Sequence, residues 1–157
     1  MIYDLKMRDG ICIEINEKSF VKNQLKNNRL KYAIYLFRCN KKIIYVGETG
    51  RGLYRCIDGL TCNKNQTAAY PWRNHRDIRN AKIELMILSV GLPSTMAIKK
   101  SSREVVEADV TSAIFTQTGS WPKKLTALKV HGGVTRSKTY NSSFQKIFSM
   151  IRNQQWV

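Results

Sequence analysis

Two tyrosines, an arginine and a glutamate have the chemistry that hydrolysis of a phosphodiester needs. Tyr35 and Tyr45 lie in neighbouring apolar runs, and Arg55 follows shortly after the second run. Arginine offers a permanently cationic, bidentate fork to the non-bridging oxygens of a phosphate. Glu107 supplies one carboxylate, which suits a hydrated Mg²⁺ or Mn²⁺ ion because such an ion keeps most of its water ligands. Together these groups could support metal-assisted cleavage of a phosphodiester with one ion per site.

The charge of the chain indicates a polyanionic partner. The 157 residues include 27 Lys and Arg against 11 Asp and Glu, a net charge of +16. No acidic residue follows Asp109. A surface that faces phosphates has reason to exclude acids, whereas a merely solvated surface usually mixes both signs. The charge therefore indicates a polyanion, most often nucleic acid and sometimes an anionic membrane. The candidate phosphate contacts are Arg51, Arg73, His75, Arg76, Arg79, Lys123 and Lys124.

Both tyrosines are predicted to lie on one β-hairpin. Residues 32–47, YAIYLFRCNKKIIYVG, contain two β-rich apolar runs around a polar centre. A turn near Asn40 and Lys41 would place Tyr35 opposite Tyr45 or Val46. Strict alternation predicts two apolar faces, so we expect helices to cover the sheet. One predicted face carries Tyr35, Phe37, Ile43 and Tyr45, and the other carries Ile34, Leu36, Ile44 and Val46.

The remaining pattern predicts an α+β fold, with a small central antiparallel sheet of about three strands flanked by helices. Helices are expected over 53–60, over 72–81 after Pro71, and from Ser101 or Ser102 to about Thr118, with the third strand over 82–90. Residues 1–30 are interpreted as an N-terminal extension with a strand at 11–15 and a helix at 18–30. Residues 31–125 would form the core. Residues 126–157 would form a basic C-terminal segment packed on it, with a helix over 142–152, and a strand is also expected over 125–130.

We expect a cytoplasmic, intracellular protein that does not bind membranes. No apolar run reaches the roughly 18–20 residues that span a bilayer, and the N-terminus lacks the layout of a signal peptide. Cys39 and Cys56 lie in apolar patterns and are interpreted as buried, reduced thiols. Cys56, Cys62 and His75 do not have the spacing of a common zinc site.

The order of these residues resembles the GIY-YIG nuclease family over roughly residues 31–125. The first signature tripeptide corresponds to Ala33-Ile34-Tyr35, and the second to Tyr45-Val46-Gly47. Arg55 lies eight residues after Gly47, where the family usually has its catalytic arginine. Glu107, followed by Val110 and Ile114, matches the metal-binding glutamate in the helix after the third strand.

The resemblance implies a fold, an activity and roles for these residues. It implies a GIY-YIG-like core, a DNA endonuclease of restriction, phage or mobile-element type, and Tyr35 as the general base or the residue that positions water. A phenol is a poor base at neutral pH unless cations lower its pKa, and Arg55, Lys42 and Arg51 are candidates for that effect. One site cuts one strand, so cleavage of both strands would need a homodimer or two events.

Two departures from the family support an alternative function. Ala33 replaces the usual glycine, and Gly59 stands where many members have a His or Tyr four residues after the arginine. His75 is one candidate for that missing role. The alternative is a non-catalytic, basic nucleic-acid-binding protein derived from such a nuclease. The ordinary structural interpretations are a cross-strand tyrosine pair, a surface Arg55, and an ion pair between Glu107 and Arg103. Glu104 remains the competing metal ligand.

Overall fold

A computed structural model describes residues 2–17, 32–51, 53–61, 70–89, 99–122 and 138–157. The described residues form an α+β fold with one five-stranded antiparallel sheet and three α-helices. The strand order is β2-β1-β5-β3-β4. The strands are β1 (Ile2–Arg8), β2 (Ile11–Glu17), β3 (Ala33–Cys39), β4 (Lys42–Thr49) and β5 (Lys82–Ser89).

The expectation of about three strands is corrected by an N-terminal hairpin that joins the sheet. Strand β1 pairs antiparallel with β5, and β2 pairs with β1. Asp9 and Gly10 form the connecting turn with positive φ angles of 50° and 77°. Glycine adopts such angles readily, and a two-residue turn of this kind matches the twist of the strands that it joins. The segment that we interpreted as an extension therefore contributes two strands to the same sheet.

The helices follow the predicted pattern, with one exception. They are α1 (Leu53–Thr61), α2 (Lys100–Thr118) and α3 (Lys138–Asn153). Gly119 ends α2 in the left-handed conformation, and its N–H donates to the Phe115 carbonyl. The helix predicted over 72–81 is wrong, because only Pro71–Asn74 form a 3-10 turn before His75 adopts an extended ψ of 140°. After this turn the backbone still forms hydrogen bonds between residues three apart, such as the bond from the Ile78 N–H to the His75 carbonyl.

The sheet is covered on both faces, as its two apolar faces predict. One core lies beneath α1 and the 3-10 turn and includes Tyr35, Phe37 and Trp72. The other lies beneath α2 and α3 and includes Leu36 and Val46. Arg38 on β3 forms a bidentate ion pair with Glu84 on the neighbouring strand β5, at 2.6 and 2.9 Å. Its guanidinium also lies over the Trp156 ring and donates to the Gln155 carbonyl. These contacts attach the C-terminus to the sheet.

The interpretation of Cys39 and Cys56 as buried thiols is confirmed. Among the ranges given above, no helix is both long and apolar enough to cross a membrane. The helix predicted at 18–30, the strand predicted at 125–130, and Cys62, Lys123 and Lys124 lie outside the described residues.

Candidate functional site

A β-bulge in β4 sets the positions of the two tyrosines. Tyr35 pairs with Gly47 and Phe37 pairs with Tyr45, whereas Arg38 pairs with Ile43. Ile44 is therefore an extra residue on β4. The predicted register, Tyr35 opposite Tyr45 or Val46, is wrong for this reason. The bulge turns Ile44 toward the tyrosine face and Ile43 toward the opposite face, so the predicted faces of these two residues are exchanged.

Gly47 makes room for the Tyr35 phenol. A β-carbon on residue 47 would lie 2.6 Å from the Tyr35 hydroxyl oxygen and 2.8 Å from a ring carbon of Tyr45. Real side chains do not approach so closely, so the two rings pack across β4 only because residue 47 has no side chain. The ring centroids of Tyr35 and Tyr45 are 5.9 Å apart. The glycine at the end of the second tripeptide thus has a direct packing role.

A third phenol completes this aromatic cluster. Tyr70, at the start of the 3-10 turn, donates a buried hydrogen bond of 3.0 Å from its hydroxyl to that of Tyr35. Its ring centroid lies 6.5 Å from that of Tyr35 and 5.5 Å from that of Tyr45. Trp72 stacks on Tyr70 at 5.1 Å and closes the cluster on one side. Tyr70 was not among the predicted site residues, because no local pattern connects it to a hairpin far upstream in the chain.

Burial dominates the electrostatics of Tyr35. Only 3% of this residue is exposed. Burial raises its pKa well above the ordinary value near 10, and the neighbouring Tyr70, Tyr45 and Cys56 raise the pKa further. Arg55, Lys42 and Arg51 were candidates for lowering this pKa, but the pKa is raised because the loss of water around the phenol disfavours its anion.

Tyr45 is the more accessible phenol, and it is where the charged candidates converge. It is half-buried, and burial raises its pKa, with a smaller upward contribution from the Glu107 carboxylate. A hydrogen bond with Tyr35 and the charge of Arg55 both oppose this rise of the Tyr45 pKa. The Arg55 guanidinium lies over the Tyr70 ring, 5.6 Å from its centroid. All four residues predicted as catalytic are thus brought to one region.

Helix α2 packs along the edge strand β4, and the Glu107 carboxylate on this helix is close enough for its charge to raise the pKa of Tyr45. The competing ligand, Glu104, forms an ion pair of 3.7 Å with Lys100. Arg103 donates to the carboxylate of Glu48 on β4 at 2.7 Å. Of the two glutamates, Glu107 is the one whose charge acts on the Tyr45 phenol.

The basic residues predicted to contact nucleic acid divide into exposed and buried groups. Arg51, His75, Arg76 and Arg79 are exposed. Two of the arginines are paired with acids: Arg76 lies 3.5 Å from Asp77, and Arg79 lies 2.7 Å from Asp9. His75 also lies 3.5 Å from the Asp77 carboxylate. Segment 70–81 begins in the tyrosine cluster, so its exposed residues flank the site.

Arg73 requires a correction. Its side chain is fully buried, and Nη1 donates to the Gly59 carbonyl at 3.1 Å. A side chain that solvent does not reach cannot contact a phosphate, so the prediction that Arg73 contacts nucleic acid is wrong. It instead joins the 3-10 turn to α1.

A metal ion would depend mainly on Glu107. Within the described ranges, no three side chains of His, Cys, Asp or Glu gather in the manner of a metal-binding cluster. Mg²⁺ often takes only one or two protein carboxylates and keeps several waters, so a single half-buried glutamate beside a phenol is chemically suitable.

No family model, no curated protein and no solved structure matches this chain.

Proposed function

We propose that this protein is a divalent-metal-dependent DNA endonuclease with a GIY-YIG-like core. The observation that carries the proposal is that Tyr35, Arg55 and Glu107 all act on the Tyr45 phenol of edge strand β4, in a chain of net charge +16. Two phenols, a guanidinium and a carboxylate provide hydrogen bonding, charge neutralisation and metal binding, which hydrolysis of a phosphodiester uses together.

Arg55 neutralises the phosphate in this mechanism. Its guanidinium is fixed over the Tyr70 ring and acts on the Tyr45 phenol, so it is held beside the place where the scissile group would bind. A cation at that place stabilises the negative charge that grows on the phosphorus oxygens in the transition state.

The two signature tyrosines take different roles. Tyr45 is the half-buried phenol, so we assign to it the contact with the attacking water or the phosphate. Tyr35 is buried and hydrogen-bonded, so it orients Tyr45. This assignment differs from the one implied by the family resemblance, in which Tyr35 contacts the water itself.

Glu107 would hold one Mg²⁺ or Mn²⁺ ion. When bound, the ion supplies charge stabilisation for the phosphate and for the leaving 3′ oxygen. The exposed basic residues Arg51, His75, Arg76 and Arg79 would contact the DNA backbone on either side of the cut.

Cleavage of supercoiled plasmid tests the function. Wild-type protein should nick the plasmid in the presence of Mg²⁺ or Mn²⁺, and this nicking should stop when EDTA is added. Glu107→Gln and Arg55→Met should each lower the rate at least about a hundredfold, whereas Glu104→Gln should cleave at near the wild-type rate. Loss of cleavage in Glu104→Gln alone would overturn the metal-ligand assignment. The nuclease function would be overturned if pure wild-type protein binds DNA but does not cut it with any divalent ion.

The competing function is binding of nucleic acid without cleavage. Burial of Tyr35 favours it, because a phenol that is 3% exposed with a raised pKa is a poor base. This alternative requires affinity that falls steeply with salt and no strand scission under any of the conditions above.

A further inference from the structure

Tyr70 lies at the junction of three parts of the candidate site. Its backbone N–H donates to the Gly59 carbonyl of α1 at 3.0 Å. Its hydroxyl reaches Tyr35 on β3, and its ring is covered by the Arg55 guanidinium. Only 5% of Tyr70 is exposed. One side chain thus connects the helix that carries the arginine to the strand that carries the buried tyrosine.

Gly59 is the reason that the Tyr70 ring can occupy this place. A β-carbon on residue 59 would lie 2.7 Å from one ring carbon of Tyr70 and 2.9 Å from another. These ring atoms belong to a buried side chain that is packed on all sides by Tyr35, Tyr45, Phe37 and Trp72. The ring has little freedom to move away, so residue 59 must remain glycine while Tyr70 is present.

The hydrogen bond from Tyr70 gives a direction to the hydroxyl of Tyr35. A tyrosine hydroxyl has one proton to donate and can also accept. The hydroxyl oxygens of Tyr35 and Tyr70 lie 3.0 Å apart, and Tyr35 also hydrogen-bonds to Tyr45, so the Tyr35 hydroxyl is held between its two neighbouring phenols. The three hydroxyls form a chain that runs from the buried interior to the half-exposed Tyr45.

We propose that Tyr70 is a positioning residue of this site, which fixes the Tyr35 hydroxyl and through it the Tyr45 phenol, in space that Gly59 leaves open. The role in cleavage rests on the proposed function. Tyr70 itself touches no substrate and acts through Tyr35. It supplies a phenol at the position in space where a side chain on residue 59 would otherwise lie.

Removal of the single hydroxyl tests this role. Tyr70→Phe keeps the ring over Gly59 and beneath Arg55, so the packing is retained. The single-turnover rate of plasmid cleavage should fall at least about tenfold, while the Kd for DNA stays within about twofold of wild type. Tyr140→Phe is the matched control, since Tyr140 is also buried and donates a 2.7 Å hydrogen bond to Asp109, but in the opposite core. It should cleave at the wild-type rate.

A double-mutant cycle tests the relation with Gly59. Gly59→Ala should lower both cleavage and thermal stability, because its methyl group displaces the Tyr70 ring. In a Tyr70→Ala protein the same substitution meets no ring, and alanine is the better helix former, so it should then be neutral or stabilising. An equal loss from Gly59→Ala in both backgrounds would overturn the packing argument.

A spectroscopic measurement separates this proposal from the nuclease function. With ¹³Cζ-labelled tyrosine, the resonances of Tyr35 and Tyr45 should both shift in Tyr70→Phe and stay unchanged in Tyr140→Phe. The role of Tyr70 would be overturned if Tyr70→Phe cleaves at the wild-type rate, or if the Tyr35 and Tyr45 resonances do not shift in this variant. If wild type does not cleave, the nuclease function fails, and the two resonances still decide whether Tyr70 orders the phenol chain.

Discussion

Glu48 accepts a 2.7 Å hydrogen bond from Arg103, and this contact joins the end of β4 to the first turns of α2. The side chains of both residues are largely buried, with 13% and 8% exposed. Tyr45 lies on the same strand and Glu107 on the same helix, so the pair fixes the distance between the accessible phenol and the proposed metal ligand. The guanidinium also lies over the Tyr32 ring, 5.4 Å from its centroid.

Breaking this pair from one side should be costly. We expect Glu48→Gln to lower the free energy of unfolding by about 3 kcal/mol, because it leaves a buried guanidinium without its anion. Urea denaturation measures the change. Arg79→Met removes the exposed pair with Asp9 and should cost less than about 1 kcal/mol. A Glu48→Leu/Arg103→Met protein more stable than Glu48→Gln would support the charge argument, and equal costs for the buried and exposed pairs would contradict it.

Gly47→Ala should damage the site more than it damages the fold. The new methyl group would meet the hydroxyl of Tyr35 and the ring of Tyr45, so we expect at least a tenfold loss of cleavage. Gly119→Ala is the control, since residue 119 has a φ of 68° with open space around it, and alanine there should cost about 1 kcal/mol through the backbone alone. Thermal melts and cleavage rates of both proteins make the comparison. Equal cleavage by the two variants would contradict the packing role of Gly47.

Exposed and buried arginines should differ in their effect on the salt dependence of DNA binding. The side chain of Arg76 is 91% exposed, so Arg76→Ala should reduce the slope of log K against log salt by about 0.9, the value for one phosphate contact. Arg73→Met should leave this slope unchanged and lower the free energy of unfolding by about 1–3 kcal/mol, because it removes a buried hydrogen bond. Titrations of duplex DNA in EDTA at several salt concentrations measure the slopes. A reduced slope for folded Arg73→Met would reverse our assignment.

Buried phenols should make the fold sensitive to alkali. Burial raises the pKa of Tyr35 in the folded state above its unfolded value, which is about 10. The contribution of this phenol to stability is therefore complete below pH ~10 and is lost as the pH rises above it, by about 1.4 kcal/mol per pH unit. Tyr35→Phe should remove that part of the slope. Urea denaturation between pH 8 and 11.5 checks this, and parallel curves for the two proteins would rule it out.

Local patterns were sufficient to predict the hairpin, α2 and the approach of Tyr35 toward Tyr45. They were insufficient for the register, because Ile43 and Ile44 suit either face and nothing in the sequence marks the bulge. The strand expected at 11–15 lies within β2. Strand β1 was not predicted, although the alternation of Tyr3, Leu5 and Met7 before Asp9-Gly10 is a signal for it.

The misassigned and missed side chains share one physical cause. Arg73 was predicted to contact phosphate because it lies in a basic run. In the fold it is buried and donates to the Gly59 carbonyl, which only tertiary packing brings near. Tyr70 joins the site through Tyr35 and Gly59, both distant in sequence. Contacts of this kind are set by tertiary packing, on which residue spacing carries no information.

The position of β5 in the sheet has a consequence for how the chain folds during synthesis. Ile2 pairs with Met86 and Ala33 pairs with Ser89, so β5 is the partner that both hairpins require. The hairpin of β1 and β2 is made before β5, so the edge of β1 that pairs with β5 stays open until β5 has been made. Contacts so distant in sequence slow folding, and Glu107 emerges later still. The hairpin that carries Tyr35 and Tyr45 is therefore made before its β5 partner, and Glu107 can join the two phenols only after α2 has been made.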